Sequence, residues 1–142
     1  MRTLRYFFAP VIGAAIGFLV NLVLIEALAH LFIRVGDSGG GKWAPRVEML
    51  TEQVVIFLLC GLAAGAVAGR LAGRREIARA LGMLAGLIAW LIHWGYAMWQ
   101  GAAEQILQAP GVAAVIYGAA LGAVLVGGYV GAWRVTRRRR TK

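Results

Sequence analysis

A single cysteine, Cys60, stands in the 142 residues, so an intramolecular disulfide and a multi-cysteine metal site are both excluded. It lies within an apolar run, where a free cysteine behaves as a small buried hydrophobe. Acidic residues are also scarce, six against fifteen Lys and Arg, and charged residues make up only 15% of the chain. Soluble domains average about 25% charged, so an ordinary water-facing surface is excluded and lipid is indicated. The net charge of +9 raises nucleic acid as a partner, but no stretch interleaves basic residues with exposed stacking aromatics. The basic residues gather instead at the ends of apolar runs, as they do on the cytoplasmic side of membrane proteins. No nucleophile, base and orienting group cluster in the sequence, so enzyme chemistry is not expected. No cofactor or metal is expected either.

What the chain has in abundance is glycine and alanine. In Gly61-Leu-Ala-Ala-Gly65-Ala-Val-Ala-Gly69-Arg-Leu-Ala-Gly73 a glycine falls at every fourth position, and the run ends at Arg74-Arg75. Positions four apart form one stripe on a helix, and this stripe has no side chains. In water each interior glycine would cost about 1 kcal/mol relative to alanine. In lipid, small-xxx-small spacing lets helices approach to backbone contact. Further pairs occur at Gly13/Gly17, Gly82/Gly86 and Gly118/Gly122. The fold class expected is all-α, an integral membrane four-helix bundle with glycine-mediated helix packing, a glycine zipper.

Four apolar runs at residues 6–32, 50–72, 77–99 and 112–133 approach or exceed the ~20 residues that cross a hydrocarbon core. The first could be a secretory signal, because Ala27-Leu-Ala29 resembles a cleavage site, but it exceeds the usual apolar length and reads as a retained helix. Pro10 is expected near its start, where a missing amide donor costs least. Residues 34–48, with Gly39-Gly-Gly41 and Pro45, read as an outer loop. Gly41-Lys42 there is followed by Trp43, so a phosphate-binding P-loop is excluded. Spans two and three have a few residues between them and form a tight hairpin. The connection from Trp99 to Pro110 is polar, with a helical tendency over 102–107, and residues 134–142 read as a basic cytoplasmic tail.

Orientation follows from charge. Arg2, Arg5, Arg70, Arg74, Arg75, Arg79, Arg134, Arg137, Arg138, Arg139, Arg140 and Lys142 fall on one side, and Arg34, Lys42 and Arg46 on the other. The positive-inside rule places both termini in the cytoplasm, in a cell (inner) membrane. Tyr6, Phe7, Phe8 and Trp133 then lie at the inner interface and Trp99 at the outer. The arginine run attracts anionic lipid head groups at the inner face.

Few polar side chains lie in or near the spans: Asn21, Glu26, His30, Gln53 and His93. Intramembrane ionisable groups are costly and are candidates for function. At 1.5 Å rise per residue, Glu26, His30 and His93 fall about 12, 6 and 9 Å below the outer ends of their spans, in one outer layer. With Gly82 at zero, Gly86 lies at about 40° and His93 at about 20° around the helix, so His93 shares the glycine face. On the first helix Glu26 and His30 are about 40° apart, and Asn21 is about 140° from Glu26, on the Gly13/Gly17 side. Asn21, Glu26, His30 and His93 form the candidate polar site. Glu26-x3-His30 with His93 could ligate a metal, or the two histidines a haem, yet no third strong ligand accompanies them.

One stretch carries a resemblance. Arg5-Tyr-Phe-Phe-Ala-Pro-Val-Ile-Gly13-Ala-Ala-Ile-Gly17-Phe-Leu-Val-Asn21-Leu resembles the opening of the GtrA-like family, small four-span proteins implicated in moving lipid-linked sugars. It covers under a fifth of the chain. The family's second helix usually ends in an Asn-Arg-aromatic pattern, where Gly69-Arg70-Leu-Ala-Gly73-Arg74 stands here. The function expected from the residues is packing, as a homo-oligomer or an accessory subunit of a membrane complex. The alternative is a small transporter or flippase with the polar residues along its path.

Overall fold

The structure, a computed structural model, describes residues 2–35, 44–73, 75–101, 107 and 110–138. Four α-helices account for nearly all of these: α1 Arg2–Val35, α2 Ala44–Ala72, α3 Arg75–Trp99 and α4 Pro110–Arg138. No strand occurs among the described residues. Each helix contains a stretch long and apolar enough to cross a membrane, Leu4–Ala27, Leu50–Ala72, Ile77–Trp99 and Pro110–Arg137, as in a multi-pass membrane protein.

The helices overrun the expected boundaries, for local reasons. α2 starts at Ala44, so the expected loop over 34–48 is shorter at both ends. Pro45 stands in the first turn of α2, where no amide donor is required. α1 reaches back to Arg2 and runs through Pro10, so this proline is interior and not at the helix start. It removes the amide bond to the Tyr6 carbonyl, and Ala9 and Pro10 are both buried. At the other end of the chain α4 continues through Arg138, converting the start of the expected tail into helix. Arginine is a good helix former and complements the C-terminal dipole. The buried Thr136 hydroxyl donates to the Ala132 carbonyl at 3.0 Å and reaches that of Trp133 at 3.1 Å. Of the connection after Trp99, residues 102–106 lie outside the described set.

Gly73 makes the hairpin between α2 and α3. Its φ of 73° is left-handed, and its amide bonds the Gly69 carbonyl at 3.4 Å, the usual glycine stop at a helix C-terminus. A Cβ at Gly73 would meet nothing within 4 Å. The expectation that Gly73 belongs to the packing stripe is therefore corrected: the stripe ends at Gly69, and Gly73 serves the turn. Gly101, with φ 93°, closes α3 in the same manner.

α2 and α3 form the central pair, and each packs against both α1 and α4; α1 and α4 do not touch among the described residues. The register shows an up-down-up-down order. Gly13 and Gly17 of α1 face Ala85 and Ala89 of α3 with numbers rising together, and face Ala64 and then Cys60 of α2 with numbers falling. Gly61, Gly65 and Gly69 of α2 face Val124, Gly128 and Ala132 of α4, again rising together. α1 is therefore parallel to α3, and α2 to α4. The Gly73 turn, the start of α1 and the end of α4 share one end of the bundle.

The interior is made of small residues. Ala9, Ala14, Ala64, Ala68, Ala78, Ala85, Ala89, Ala120 and Ala132 are buried, and the largest fully buried side chains are Ile56, Val124, Asn21 and Cys60. Phe57 and Ile56 are buried as well, but many of the large apolar side chains point outward: Phe7 is 72% exposed, Val23 67% and Val115 61%. A Cβ at Gly13 would fall 2.6 Å from the Ala64 carbonyl oxygen, one at Gly86 2.7 Å from that of Val124, and one at Gly82 2.5 Å from that of Gly128. At Gly61 and Gly65 it would collide with the carbonyls of Val124 and Gly128, and at Gly127 and Gly131 with those of Leu58 and Leu62. At each of these positions only hydrogen fits.

Candidate functional site

The residues singled out by the sequence separate into three groups. Asn21 is drawn into the interior, 2% exposed, because it continues the Gly13/Gly17 stripe by one more turn. The same parallel register that sets Gly13 against Ala85 and Gly17 against Ala89 sets Asn21 level with His93. Cys60 of α2 is near it in register, since the Cys60 carbonyl faces Gly17 one turn earlier on α1. A thiol is a weak partner, and neither amide atom of Asn21 has a hydrogen bond of good geometry among the described residues.

His93 is half-buried and meets the Phe57 ring edge-on, centroids 4.9 Å apart. Its Nδ1 is buried without a partner among the described residues. Around it lies an aromatic cluster: Trp90 stacks on Trp94 at 5.8 Å, and Trp94 meets Tyr117 of α4 at 5.4 Å. The indole nitrogens of both tryptophans are also buried and unpartnered in the described set. Asn21 of α1, Cys60 of α2 and His93 of α3 thus fall at about one level of the bundle, the His93 ring resting on Phe57. That level offers amide, thiol and imidazole groups and no formal charge.

Glu26 is not at that level. It sits on the exposed side of α1, in keeping with its position about 140° around the helix from Asn21. His30 lies in α1, but its side chain is outside the described residues. Among the described residues no three His, Cys, Asp or Glu side chains lie together as metal ligands.

The third group is the glycines expected to mediate packing. Gly61, Gly65, Gly69, Gly82 and Gly86 each face α4. Gly118 and Gly122 depart from the expectation: both are exposed, and a Cβ at either would meet nothing within 4 Å. The glycines of α4 that oppose α2 and α3 are Gly127, Gly128 and Gly131, three residues that the spacing reading missed. Their signal was available, since Gly127 and Gly131 are four apart and Gly128 follows Val124 by four, but Gly118/Gly122 is the more regular pair to the eye. Cys60 is buried, as its apolar run implies, and Trp90 was not singled out. Cys60 immediately precedes the glycine stripe and so lies on its flank, and Trp90 lies one turn beyond Gly86.

Comparison with known protein families, characterised proteins and solved structures finds no match. The likeness of α1 to the GtrA-like family is thus not accompanied by a family match.

Proposed function

We propose that this chain is a small multi-pass protein of the cell (inner) membrane, with both termini cytoplasmic, that acts by helix contact as a homo-oligomer or as an accessory subunit. Its inverted distribution, small residues inside and many large apolar ones outside, suits a lipid solvent; in water an apolar surface of that extent marks a contact or an aggregation hazard. The glycine approaches inside the bundle are, on this reading, its packing device.

The observation that carries the contact role is the outward pair Gly118/Gly122. These glycines repeat the four-residue spacing used inside the bundle, yet none of the described residues comes within 4 Å of a Cβ built on either. An outward glycine pair gives lipid nothing to grip and gives a second helix room to approach. Substituting both with leucine tests this. Mass of the purified protein by light scattering in mild detergent should fall by at least half for G118L/G122L, with the melting temperature of the remaining bundle unchanged. An unchanged mass, with no co-purifying subunit lost, overturns the proposal.

The alternative, a small transporter or flippase, rests on Asn21, whose amide is buried without a good partner at the level of His93. Glu26 brings no carboxylate to that level, since it faces outward. Contact is therefore the better supported role.

A further inference from the structure

At the end of the bundle that holds the Gly73 turn, two arginines lie against two aromatic rings of α4. The Arg79 guanidinium of α3 is 5.4 Å from the centre of the Tyr129 ring, and that of Arg137 is 5.2 Å from the Trp133 ring. Tyr129, Trp133 and Arg137 are spaced i, i+4, i+8, so they form one line along α4. The rings that carry the two guanidiniums are thus one helical turn apart along α4, and each guanidinium lies at cation–π distance from its ring.

The Arg79 Nε is buried with no hydrogen bond among the described side chains. The sequence explains this. Segments 70–79 and 134–142 carry Arg70, Arg74, Arg75, Arg79, Arg134, Arg137 to Arg140 and Lys142 against a single acid, Glu76. A guanidinium at a membrane boundary is attracted to anionic head groups there, and its planar fork matches the oxygens of a phosphate. Further from the chain end on the same flank, Met83 of α3 and Val126 of α4 are exposed, an apolar surface of the kind an acyl chain covers.

We propose that Arg79, Tyr129, Trp133 and Arg137 form a binding site for the phosphodiester head group of an anionic phospholipid. The two guanidiniums clamp the phosphate, the Tyr129 hydroxyl adds a donor, and the acyl chains run over Met83 and Val126. The inference rests on the membrane reading but not on oligomerisation, because Gly118 and Gly122 lie nearer the other end of α4.

The test uses the full chain in nanodiscs of phosphatidylcholine alone or mixed with phosphatidylglycerol. Insertion into both disc types establishes the membrane reading first, so a later loss of lipid preference bears on this site alone. Lipid retained on the protein is then read by native mass spectrometry. Wild type should retain phosphatidylglycerol over phosphatidylcholine, and R79Q/R137Q should lower that preference about a hundredfold, about tenfold for each charge-assisted contact removed. R134Q, off that line on α4, should leave it unchanged, and R79K should recover only part of it. Inorganic phosphate at millimolar concentration should not displace the lipid. Equal retention of the two lipids, an equal loss in R134Q, or displacement by free phosphate overturns the proposal. Should the double variant fail to insert, R79K and Y129F, which keep charge and shape respectively, carry the same comparison.

Discussion

The sharpest consequence of the packing concerns one methyl group. Gly65 of α2 lies against Gly128 of α4, and a Cβ there would collide with the Gly128 carbonyl oxygen and fall 2.7 Å from its carbon and 2.8 Å from its α-carbon. None of these atoms belongs to a side chain that can turn away. Restoring ordinary van der Waals separation, ~3.4 Å, from the α-carbon alone requires α2 and α4 to part by about 0.6 Å, and the oxygen demands more. A gap of 0.5–1 Å forfeits roughly a quarter to a half of each dispersion interaction, and Gly61, Gly69, Gly127 and Gly131 share that interface. Inserting a methylene into a packed core costs about 1–3 kcal/mol, and Gly65→Ala belongs in that range because the loss spreads along the helix. Gly95→Ala in α3 is the matched control, the same chemical change with nothing within 4 Å. Its effect should lie between zero and a gain of about 1 kcal/mol from helix propensity. Reversible unfolding in mixed dodecylmaltoside and SDS micelles, followed by circular dichroism, measures both. Equal stability of the two variants would refute the reasoning, since burial of the stripe would then be irrelevant to holding the bundle.

Two other outcomes follow from the geometry. Gly73→Ala forces a Cβ into left-handed backbone at φ 73° with no steric neighbour, so the same assay should show a loss of about 1–2 kcal/mol, and Gly73→Asn a smaller one. With Cys60 replaced, a cysteine at Ser38 should react with an impermeant thiol reagent in intact cells and one at Thr141 should not; the reverse pattern overturns the orientation.

The helices were legible because their signal is compositional. Apolar runs bounded by Arg2/Arg5, Arg74/Arg75 and Arg134 leave little choice about where spans lie, and the starts at Ile77 and Leu50 agree with the apolar stretches of α3 and α2. Asn21 was legible as an interior residue because it falls on the Gly13/Gly17 side. The partners of the glycines were not. A four-residue spacing says that a face is smooth and says nothing about whether another helix of the same chain lies on it. Thus Gly118/Gly122 and Gly127/Gly131 look equivalent in the sequence, and only the second pair meets α2. Depth misled for a related reason. Counted from the outer ends of their spans Glu26 and His93 share a layer, but the register that sets Asn21 level with His93 puts Glu26 five residues further along α1, about 7.5 Å away along the axis, and on its exposed side.

That degeneracy bears on what Asn21 does. Slide α2 along α4 by one turn and Gly61 meets Gly128 while Gly65 meets Ala132, so small residues still oppose small ones. The stripe therefore fixes separation and leaves register weakly determined, and something that does not repeat must choose it. A buried polar residue is the best-attested device of this kind, and Asn21 is buried near Cys60 in register and level with His93, whose ring rests on Phe57. Asn21→Leu replaces an amide lacking good partners with an apolar group of similar shape, a change that is often neutral or stabilising. We expect its unfolding free energy to lie within about 1 kcal/mol of wild type or above it. Uniqueness should suffer instead. The five tryptophans each give one indole N–H resonance in a single conformer, and in Asn21→Leu those of Trp90 and Trp94, next to His93, should split or broaden. One sharp set of five resonances in the variant would show that register is set elsewhere, with the Gly73 hairpin the remaining restraint.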